Sequence, residues 1–389
     1  MASPAPSAAS VRADGAGLPD LRGAVLRANP AYELVPLERL PAGERALAGE
    51  ASAGEDLYGL LRPAPGSALA PRAAGADLAL LVLTLREPGP LPAFAERRLA
   101  GDPAPLARLV LDGVLEVERE GAFVSGPAAL GAPARAPAPS SRVAELSLAA
   151  LRHGAALEGV PLELLAFRLY AFGRRPLTPR LAARLPDERA VARFLGVDGP
   201  ALGAFAESGT RPGDAWRMWR RRARRARAGR GGASFKLYVA PRLEHAPAAL
   251  AALAEAAADL PGCEGFKAAR DAAGLCRPDK LVAYFGRVED LHAAAARLGR
   301  ALGGLEPQPV PFTGAVDPAG VLSFGVDPAG AGGEGRSWRL WLAGRLALYL
   351  EEGRAAGADP CAFALERIRL DGIDVDAWAP ASTGWDGTR

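Results

Sequence analysis

Lysine is scarce in this chain of 389 residues, although basic residues are common. Of 47 basic side chains only Lys236, Lys267 and Lys280 are lysine, and the rest are arginine. Arginine keeps its proton at any physiological pH, whereas burial or a neighbouring cation can turn a lysine amine into a neutral base. Because all three lysines fall between residues 236 and 280, they indicate a site where arginine would fail. The alternative is codon bias combined with chance.

Cysteine, histidine and long apolar runs are also scarce, which excludes several classes of protein. Three cysteines without metal-ligand spacing and three histidines do not predict a zinc site. The N-terminus carries no continuous apolar segment, and the most apolar stretch, residues 78–85, is too short to cross a bilayer. A net charge of +3 is too small to indicate an overall positive electrostatic field that would attract nucleic acid. We therefore expect a cytoplasmic protein without metal and without membrane contact.

Length and composition predict a globular α+β protein with more than one domain. Hydrophobic residues make up 49% and charged residues 23%, as in chains that bury substantial cores. Segments rich in Ala, Pro, Ser or Arg predict the boundaries. The expected order is a disordered N-terminus (1–20), a small α/β domain (21–130), a linker (131–142), a helical region (143–210), an Arg-rich linker (211–233), an α+β domain (234–380) and a tail (381–389).

The first domain contains a pattern typical of a helix followed by a wing. A helical pattern near residues 106–111 leads into two short strands about a glycine turn at residues 114–124. We therefore expect a mostly helical N-terminal region that is winged-helix-like.

Two segments with a period of two place lysines beside tyrosines. The alternation in FKLYV predicts a strand with Lys236 and Tyr238 on one face. The alternation in KLVAYF places Lys280 and Tyr284 on one face of a second strand. Each strand thus presents a primary amine and a phenol on the same face.

Further basic residues lie close to these two strands. Lys267, Arg270 and Arg277 precede Lys280, so cations recur through this part of the chain. A guanidinium group matches the geometry of phosphate or carboxylate. We expect Arg270, Arg277 and Lys280 to bind an anionic group of the substrate.

The largest charge cluster is the arginine run, residues 217–230, which follows Trp216 and contains Trp219. Arginine charge and indole stacking together can bind single-stranded nucleic acid. The competing interpretation is a solvated helix end or an interdomain linker. Because adjacent arginines point to all sides, they do not form one continuous binding surface, and we do not expect nucleic acid as a partner. A docking patch for an acidic peptide fits the run better.

Several motifs of the C-terminal domain resemble a known family. They are FKLYVAPR, GFKAARDAAGLCRPDKLVAYF, PFTGAV, LSFGVDP and SWRLW. Residues 234–380 resemble the Hop-A type III effector family and its actinobacterial relatives in class V lanthipeptide and thioamitide clusters. More distantly, they are similar to the phosphothreonine lyases. The resemblance implies a lyase-like α+β domain that accompanies a kinase-like partner.

The resemblance implies roles for individual residues. Lys267, in a Phe-Lys pair, matches the family's catalytic base, and Lys236 matches its strand lysine. Tyr284 matches its strand tyrosine. The family's phosphate-binding arginines match Arg277 and Arg339, the second within a Trp-Arg pair.

One departure from the family concerns the general acid. The phosphothreonine lyases have histidine where this chain has Tyr238. Either Tyr238 takes that role, or His245 reaches into the site, or the chain does not perform the full reaction.

The implied reaction is a carbon–oxygen lyase reaction: β-elimination of phosphate from phosphoserine or phosphothreonine in a ribosomally made precursor peptide, giving dehydroalanine or dehydrobutyrine. Elimination needs a base, cations on the departing phosphate and a donor at the carbonyl oxygen, and it requires no cofactor. The expected partners are the phosphorylated precursor peptide and a kinase-like protein. The alternative is a non-catalytic, peptide-binding scaffold in a modification complex, which the departure at Tyr238 favours.

Overall fold

The computed structural model describes most of the chain, with gaps. The described residues are 21–51, 56–65, 67, 69, 71–99, 102–130, 137–208, 214–221, 235–328 and 337–381. The predicted disorder of residues 1–20 and most of the arginine run, residues 222–230, lie outside these ranges. Within them, no helix combines the length and the apolar character needed to span a membrane.

The N-terminal part mixes strands and helices. In chain order it contains β1 (Leu26–Ala28), β2 (Tyr32–Pro36), α1 (Ala42–Ala51), β3 (Leu57–Pro63), β4 (Arg72–Gly75), α2 (Ala76–Thr84), α3 (Ala93–Leu99), α4 (Ala104–Leu111), β5 (Leu115–Arg119) and β6 (Ala122–Val124). The strands form two antiparallel sheets with the orders β1-β5-β6 and β2-β3-β4.

The helix and hairpin expected from the sequence correspond to α4, β5 and β6. Strands β1 to β4 were not expected, so this region is less helical than the sequence indicates. In β3, Gly59, Leu60 and Leu61 are buried in succession, which removes the alternation that predicts a strand. The winged-helix-like arrangement of the whole region stays a prediction.

The middle part begins with the expected helices and ends with two strands. Its elements are α5 (Arg142–Ala155), α6 (Leu162–Tyr170), α7 (Pro179–Arg184), α8 (Glu188–Leu195), β7 (Phe205–Glu207) and β8 (Trp216–Arg221). Ser141, Thr178 and Asp187 each cap a helix, because their side chains accept a backbone N–H of the first turn. Residues 216–221 are therefore a strand and not part of an Arg-rich linker.

The C-terminal part supplies the remaining elements. They are β9 (Phe235–Val239), α9 (Ala246–Ala257), β10 (Cys263–Ala269), α10 (Ala272–Leu275), β11 (Leu281–Phe285), α11 (Val288–Ala301), β12 (Gly314–Ala315), β13 (Leu322–Val326), α12 (Trp338–Ala355), α13 (Pro360–Leu370), β14 (Ile373–Asp374) and β15 (Ala379–Pro380). The two strands expected from the period of two are β9, which contains Lys236, and β11, which begins one residue after Lys280.

A seven-stranded antiparallel sheet organises this part of the protein. Its order is β12-β13-β9-β11-β10-β8-β7. One face of the sheet, which includes Leu237, Phe266 and Ala283, packs in a single buried cluster with residues of α8, α9 and α11. The opposite face carries the polar side chains of the central strands.

The described chain divides into two compact units that differ from the expected domains. One unit comprises residues 1–136 and 348–371, and the other comprises residues 137–347 and 372–389. The helical region, β7 and β8 thus belong with the central sheet, because β7 and β8 extend it and α8 covers it. Residues 348–371, expected in the C-terminal domain, belong with the N-terminal unit.

Residues 311–313 form an irregular segment. Phe312 has a positive φ of 61°, a conformation that strands do not tolerate. Its N–H donates to Ser147 Oγ, its carbonyl accepts from Trp338 Nε1, and its ring packs edge-on against Trp378. These contacts hold a strained backbone beside the sheet, as often occurs near functional sites.

Candidate active site

Five side chains from the three central strands share the face opposite the helices. In the register, Tyr284 lies opposite Lys236, and Val282 lies between Tyr238 and Lys267. Side chains opposite each other on neighbouring strands project to the same face. The alternation predicted for β9 and β11 therefore brings their lysine and tyrosines to one surface, and β10 adds Lys267.

Lys267 is held by aromatic rings and not by a counter-ion. Its Nζ lies 4.1 Å from the ring centroid of Trp216 and 5.6 Å from that of Tyr284. None of the hydrogen bonds or ion pairs among the described residues involves this amine. It thus differs from Lys236 and Lys280, whose amines have oxygen partners.

The surroundings of Lys267 favour its neutral form. Burial and then the positive charge of Lys236 lower the pKa of Lys267 to about 8, with a smaller contribution from Arg277. Asp279 opposes this shift. The lowered pKa gives Lys267 a sizeable fraction of free amine near neutral pH, which a general base requires.

A buried carboxylate, Asp279, is the centre of a charged cluster beside the lysines. Arg277 Nε and Nη2 donate to its two oxygens at 2.9 Å each, and Arg339 Nη1 donates at 2.8 Å. The Tyr170 hydroxyl donates to it at 3.2 Å and accepts from Arg277 Nη2 at 2.7 Å. Burial alone would raise the pKa of Asp279, but Arg339 and Arg277 outweigh burial and hold it well below its usual range.

The two arginines expected to bind the phosphate differ in their exposure and in the hydrogen bonds that they already make. Arg339 is 1% exposed and donates to the carbonyls of Pro311 and Tyr170 as well as to Asp279. Arg339 therefore holds these three groups together inside the protein and is a poor candidate for direct phosphate contact. Arg277 is partly exposed, and its Nη1 makes no hydrogen bond among the described residues. Arg277 is the guanidinium that can accept a phosphate.

Gly325 allows α12 to bring Arg339 to the cluster. A Cβ on Gly325 would lie only 2.5 Å from the Trp338 ring, so a larger residue would push the start of α12 away from the sheet. Gly325 is opposite Lys236 in the register. The close approach of helix and strand thus sets the depth at which Arg339 enters the site.

Lys236 is paired with an acidic residue that follows β13. Its Nζ lies 2.8 Å from Asp327 Oδ1, and the same oxygen accepts the backbone N–H of Trp338. Lys236 is buried, so the pairing keeps its charge inside the protein. Lys236 and Lys267 lie on either side of β11, at similar distances from the Tyr284 ring.

The two tyrosines keep their protons and have no hydrogen-bond partner among the described residues. Burial raises the pKa of Tyr238 well above its usual value, and the nearby charge of Arg339 offsets this only in part. Burial also raises the pKa of Tyr284. The Tyr284 ring lies 5.5 Å from Lys236 Nζ and 5.6 Å from Lys267 Nζ, and Tyr238 lies opposite Val282, which is also opposite Lys267. Each phenol can therefore donate a proton or a hydrogen bond to a bound molecule.

Two residues expected on the phosphate serve other contacts. Lys280 is fully buried and donates to the Pro241 carbonyl and to Gln308 Oε1, both at 2.9 Å, and burial lowers its pKa to about 7. Arg270 pairs with Glu188 at 2.7 Å, because it follows Ala269 and points to the opposite side of β10. These partners give no support to phosphate binding by Lys280 or Arg270, and that role stays a prediction for both.

His245 is not placed to act as the alternative acid. It immediately precedes α9, and Ala246, the first residue of this helix, belongs to the buried cluster on the other face of the sheet. Tyr238 projects to the site face. The structure therefore favours Tyr238 over His245 for that role.

The described part of the arginine run belongs mainly to the sheet. Arg217 pairs with Glu207 at 3.1 Å, and Arg221 donates to the Leu260 carbonyl at 3.3 Å. Arg220 is exposed. Residues 222–230 lie outside the described ranges, so peptide docking by the arginine run stays a prediction.

The sequence did not place four residues in this site: Asp279, Tyr170, Trp216 and Asp327. Asp279 follows Arg277 by two residues and precedes Lys280, and this alternation of charge is a local signal for an ion pair. Asp327 ends the strand that neighbours β9, so its position could have been anticipated once that pairing was known. Tyr170 and Trp216 carry no such signal, since both are distant in sequence from the lysines.

The site carries a net positive charge suited to a doubly charged anion. Lys236, Lys267, Arg277 and Arg339 supply four positive charges when Lys267 is protonated, and Asp279 and Asp327 supply two negative ones. A phosphate monoester carries a charge between about −1.5 and −2 at neutral pH. Bound phosphate would therefore nearly neutralise the cluster. Among the described residues there is no group of three or more metal-ligating side chains.

No family model and no curated protein matches the chain, but several solved structures are similar to it. An effector protein from Pseudomonas syringae pv. tomato is 12% identical over 62% of this chain and 100% of its own, with a TM-score of 0.45. The type III effector and phosphothreonine lyase OspF from Shigella flexneri is 14% identical over 42% of this chain and 90% of its own, with a TM-score of 0.28. The Chromobacterium violaceum phosphothreonine lyase effector VirA (SpvC) is 17% identical over 39% and 77%, with a TM-score of 0.27. Likeness at this level does not assign an activity.

Proposed function

We propose that this protein is a carbon–oxygen lyase that removes phosphate from phosphoserine or phosphothreonine by β-elimination. The observation that carries the proposal is Lys267, a partly buried amine that has no counter-ion among the described residues and whose pKa is lowered to about 8. It stands beside a cationic cluster and two protonated phenols. A base, an anion site and a proton donor are the three components that the elimination needs.

The geometry suggests how the steps would be shared. Lys267 Nζ takes the Cα proton, and the electron pair left behind forms the Cα–Cβ double bond. The Cβ–O bond breaks, and phosphate departs toward Arg277 with a proton from Tyr238. Lys236 and Tyr284 lie next to the base and can donate to the substrate carbonyl oxygen, where negative charge develops. The products are a dehydroamino acid in the peptide and free phosphate.

The proposed substrate is a ribosomally made precursor peptide that a kinase-like partner protein has phosphorylated. Such a peptide would become dehydroalanine at phosphoserine and dehydrobutyrine at phosphothreonine. The resemblance of the sequence motifs supports this substrate, and the net positive charge of the site is compatible with it.

Incubating the protein with a panel of phosphoserine and phosphothreonine peptides tests the proposal. Mass spectrometry should show the loss of phosphoric acid from the peptide, and wild-type protein that releases phosphate from none of them would overturn it.

Elimination should accelerate as the pH rises. The base acts only when Lys267 is unprotonated, so kcat/KM should increase with pH and level off above about 8. A bound phosphate would raise the pKa of Lys267 again, so the corresponding rise in kcat should lie at higher pH. Both profiles can be measured by phosphate release between pH 6 and 10, with protein stability followed in parallel. A kcat/KM that stays level between pH 6.5 and 9 would remove Lys267 as the base.

Tyr238→Phe should slow elimination by at least about tenfold, because a general acid contributes about two to four orders of magnitude. His245→Ala serves as the control and should be nearly silent, since His245 precedes a helix on the other face of the sheet. Single-turnover rates on one phosphopeptide provide the comparison. A fast Tyr238→Phe variant together with a slow His245→Ala variant would reverse the assignment.

A peptide-binding scaffold without catalysis remains the second candidate function. It is favoured by the pairing within the site, since Asp279 and Asp327 already neutralise part of the positive charge. Such a scaffold would bind phosphopeptides and release no phosphate. Binding by fluorescence anisotropy together with the elimination assay separates the two functions.

A further inference from the structure

Trp216 brings the candidate base and the phosphate-binding arginine together on one ring. Lys267 Nζ lies 4.1 Å from the centroid of its ring, and Arg277 Cζ lies 4.9 Å from it. Two cations would repel each other if nothing intervened. The negative face of an indole attracts each of them and is the best aromatic group for this purpose.

The position of Trp216 follows from the pairing of β8 with β10. Ala269 is opposite Trp216, and Lys267 is opposite Met218. Trp216 is therefore the diagonal neighbour of Lys267 on the same face, within reach of a long side chain. Trp219, by contrast, projects to the other face, where it stacks on Phe266 in the buried cluster.

The contact changes in strength during the proposed reaction. A neutral amine gains little from the indole face, whereas an ammonium is attracted to it. When the Cα proton moves to Nζ, the positive charge forms directly over the ring. The interaction is thus stronger after proton transfer than before it, which is the condition for stabilising a transition state.

We propose that Trp216 is a positioning residue that holds Lys267 and Arg277 on one indole ring and stabilises the ammonium formed when Lys267 takes the substrate proton. This inference rests on the proposed lyase function for its catalytic part. Its structural part, the contact of Trp216 with Lys267, can be tested without any turnover.

The charged groups around Lys267 have opposing effects on its pKa. Lys236 of β9 and Arg277 disfavour its charged form, whereas Asp279 and Asp327 favour it. Tyr284 of β11 presents a second, more distant ring at 5.6 Å. Trp216 is the aromatic group closer to the amine, so its removal should have the larger effect.

The scarcity of lysine makes a direct measurement possible. With ¹³C label at the lysine ε-carbon, the whole protein gives only three lysine signals, and Lys→Arg variants assign them. Trp216→Leu should lower the pKa of Lys267 by about 0.5–1.5 units, as expected for the loss of one cation–π contact. Trp216→Phe should lower it less, because phenylalanine keeps a weaker ring. Trp219→Phe, on the other face of the same strand, is the matched control and should leave the pKa unchanged.

The kinetic effect should depend on pH in a way that general damage would not. A base with a lower pKa is weaker when deprotonated but is deprotonated at lower pH. The ratio of wild-type to Trp216→Leu rates should therefore be largest above pH 9, at no more than about 3- to 30-fold, and should shrink toward pH 7. Trp216→Phe should recover part of the loss.

Three results would separate the possible failures. An unchanged Lys267 pKa in both Trp216 variants overturns this inference even if elimination persists. A rate ratio that is constant across pH overturns its catalytic part and indicates a structural role. Wild-type protein without elimination overturns the proposed function and the catalytic part, while the lysine signals still decide whether Trp216 interacts with Lys267. If Trp216→Leu does not fold, the smaller shift expected for Trp216→Phe decides the question alone.

Discussion

Replacing Lys267 with arginine should abolish elimination although the charge of the side chain is kept. Arginine cannot release its proton and therefore cannot act as a base. We expect kcat to fall by about 100- to 10,000-fold, the usual contribution of a general base. Mass spectrometry of a phosphopeptide incubated with the variant should show no loss of phosphoric acid. Turnover near the wild-type level would exclude Lys267 from the mechanism.

A chemical rescue distinguishes the loss of a base from damage to the site. Lys267→Cys can be alkylated with 2-bromoethylamine, which attaches an aminoethyl group and recreates a side chain of lysine length. Part of the activity should return, because the amine again reaches the Cα proton. Lys267→Ala treated in the same way is the matched control, since the reagent also meets the native cysteines, one of which is partly exposed. Equal recovery in both variants would mean that the amine at position 267 is not the cause.

Replacing Asp279 with asparagine should strongly destabilise the unit that holds the site. Asp279 is 4% exposed and accepts hydrogen bonds from both Arg277 and Arg339. Removing one partner of a buried ion pair leaves an uncompensated charge and costs about 3–5 kcal/mol. The melting midpoint should fall by roughly 6–20 °C for a unit of this size. Thermal unfolding followed by tryptophan fluorescence provides the measurement.

The loss in Asp279→Asn should depend on pH in a defined direction. The pKa of Asp279 is held below its usual range in the folded protein, so its stabilising effect is complete above the unfolded value of about 3.9. This effect is lost as the pH falls toward the folded value. The stability difference between wild type and variant should thus be largest above about pH 5 and shrink in acid.

Asp259→Asn is the matched control for this prediction. Asp259 also pairs with an arginine, Arg297, but both side chains are exposed, so water replaces the lost contact. Its melting midpoint should remain close to that of the wild type. Similar losses in both variants would show that the burial of Asp279 is not the reason for its effect.

The period of two in the sequence predicted the strands of the site, whereas the two compact units of the structure differ from the domains expected from composition. The period of two in β9 and β11 depends only on neighbouring residues, and it correctly places Lys236, Tyr238 and Tyr284 on one face. It could not predict the contacts of Lys280, because a residue next to a strand end can turn toward the loops. There the Pro241 carbonyl and Gln308 Oε1 accept hydrogen bonds from its amine. Boundaries depend on which segments pack together, which periodicity does not report.

The sequence by itself determined which residues could do the chemistry: three lysines in an arginine-rich chain, two of them in segments whose period of two also includes a tyrosine. Only the tertiary structure decided which of them would. It brought Trp216 to Lys267 and Tyr170 to Arg277 from more than 50 residues away along the chain. It also paired Arg339 with Asp279 inside the protein. The physical reason is that a pKa and a free hydrogen-bonding position depend on burial and on neighbours in space. Those neighbours come from whichever segments the packed chain places side by side.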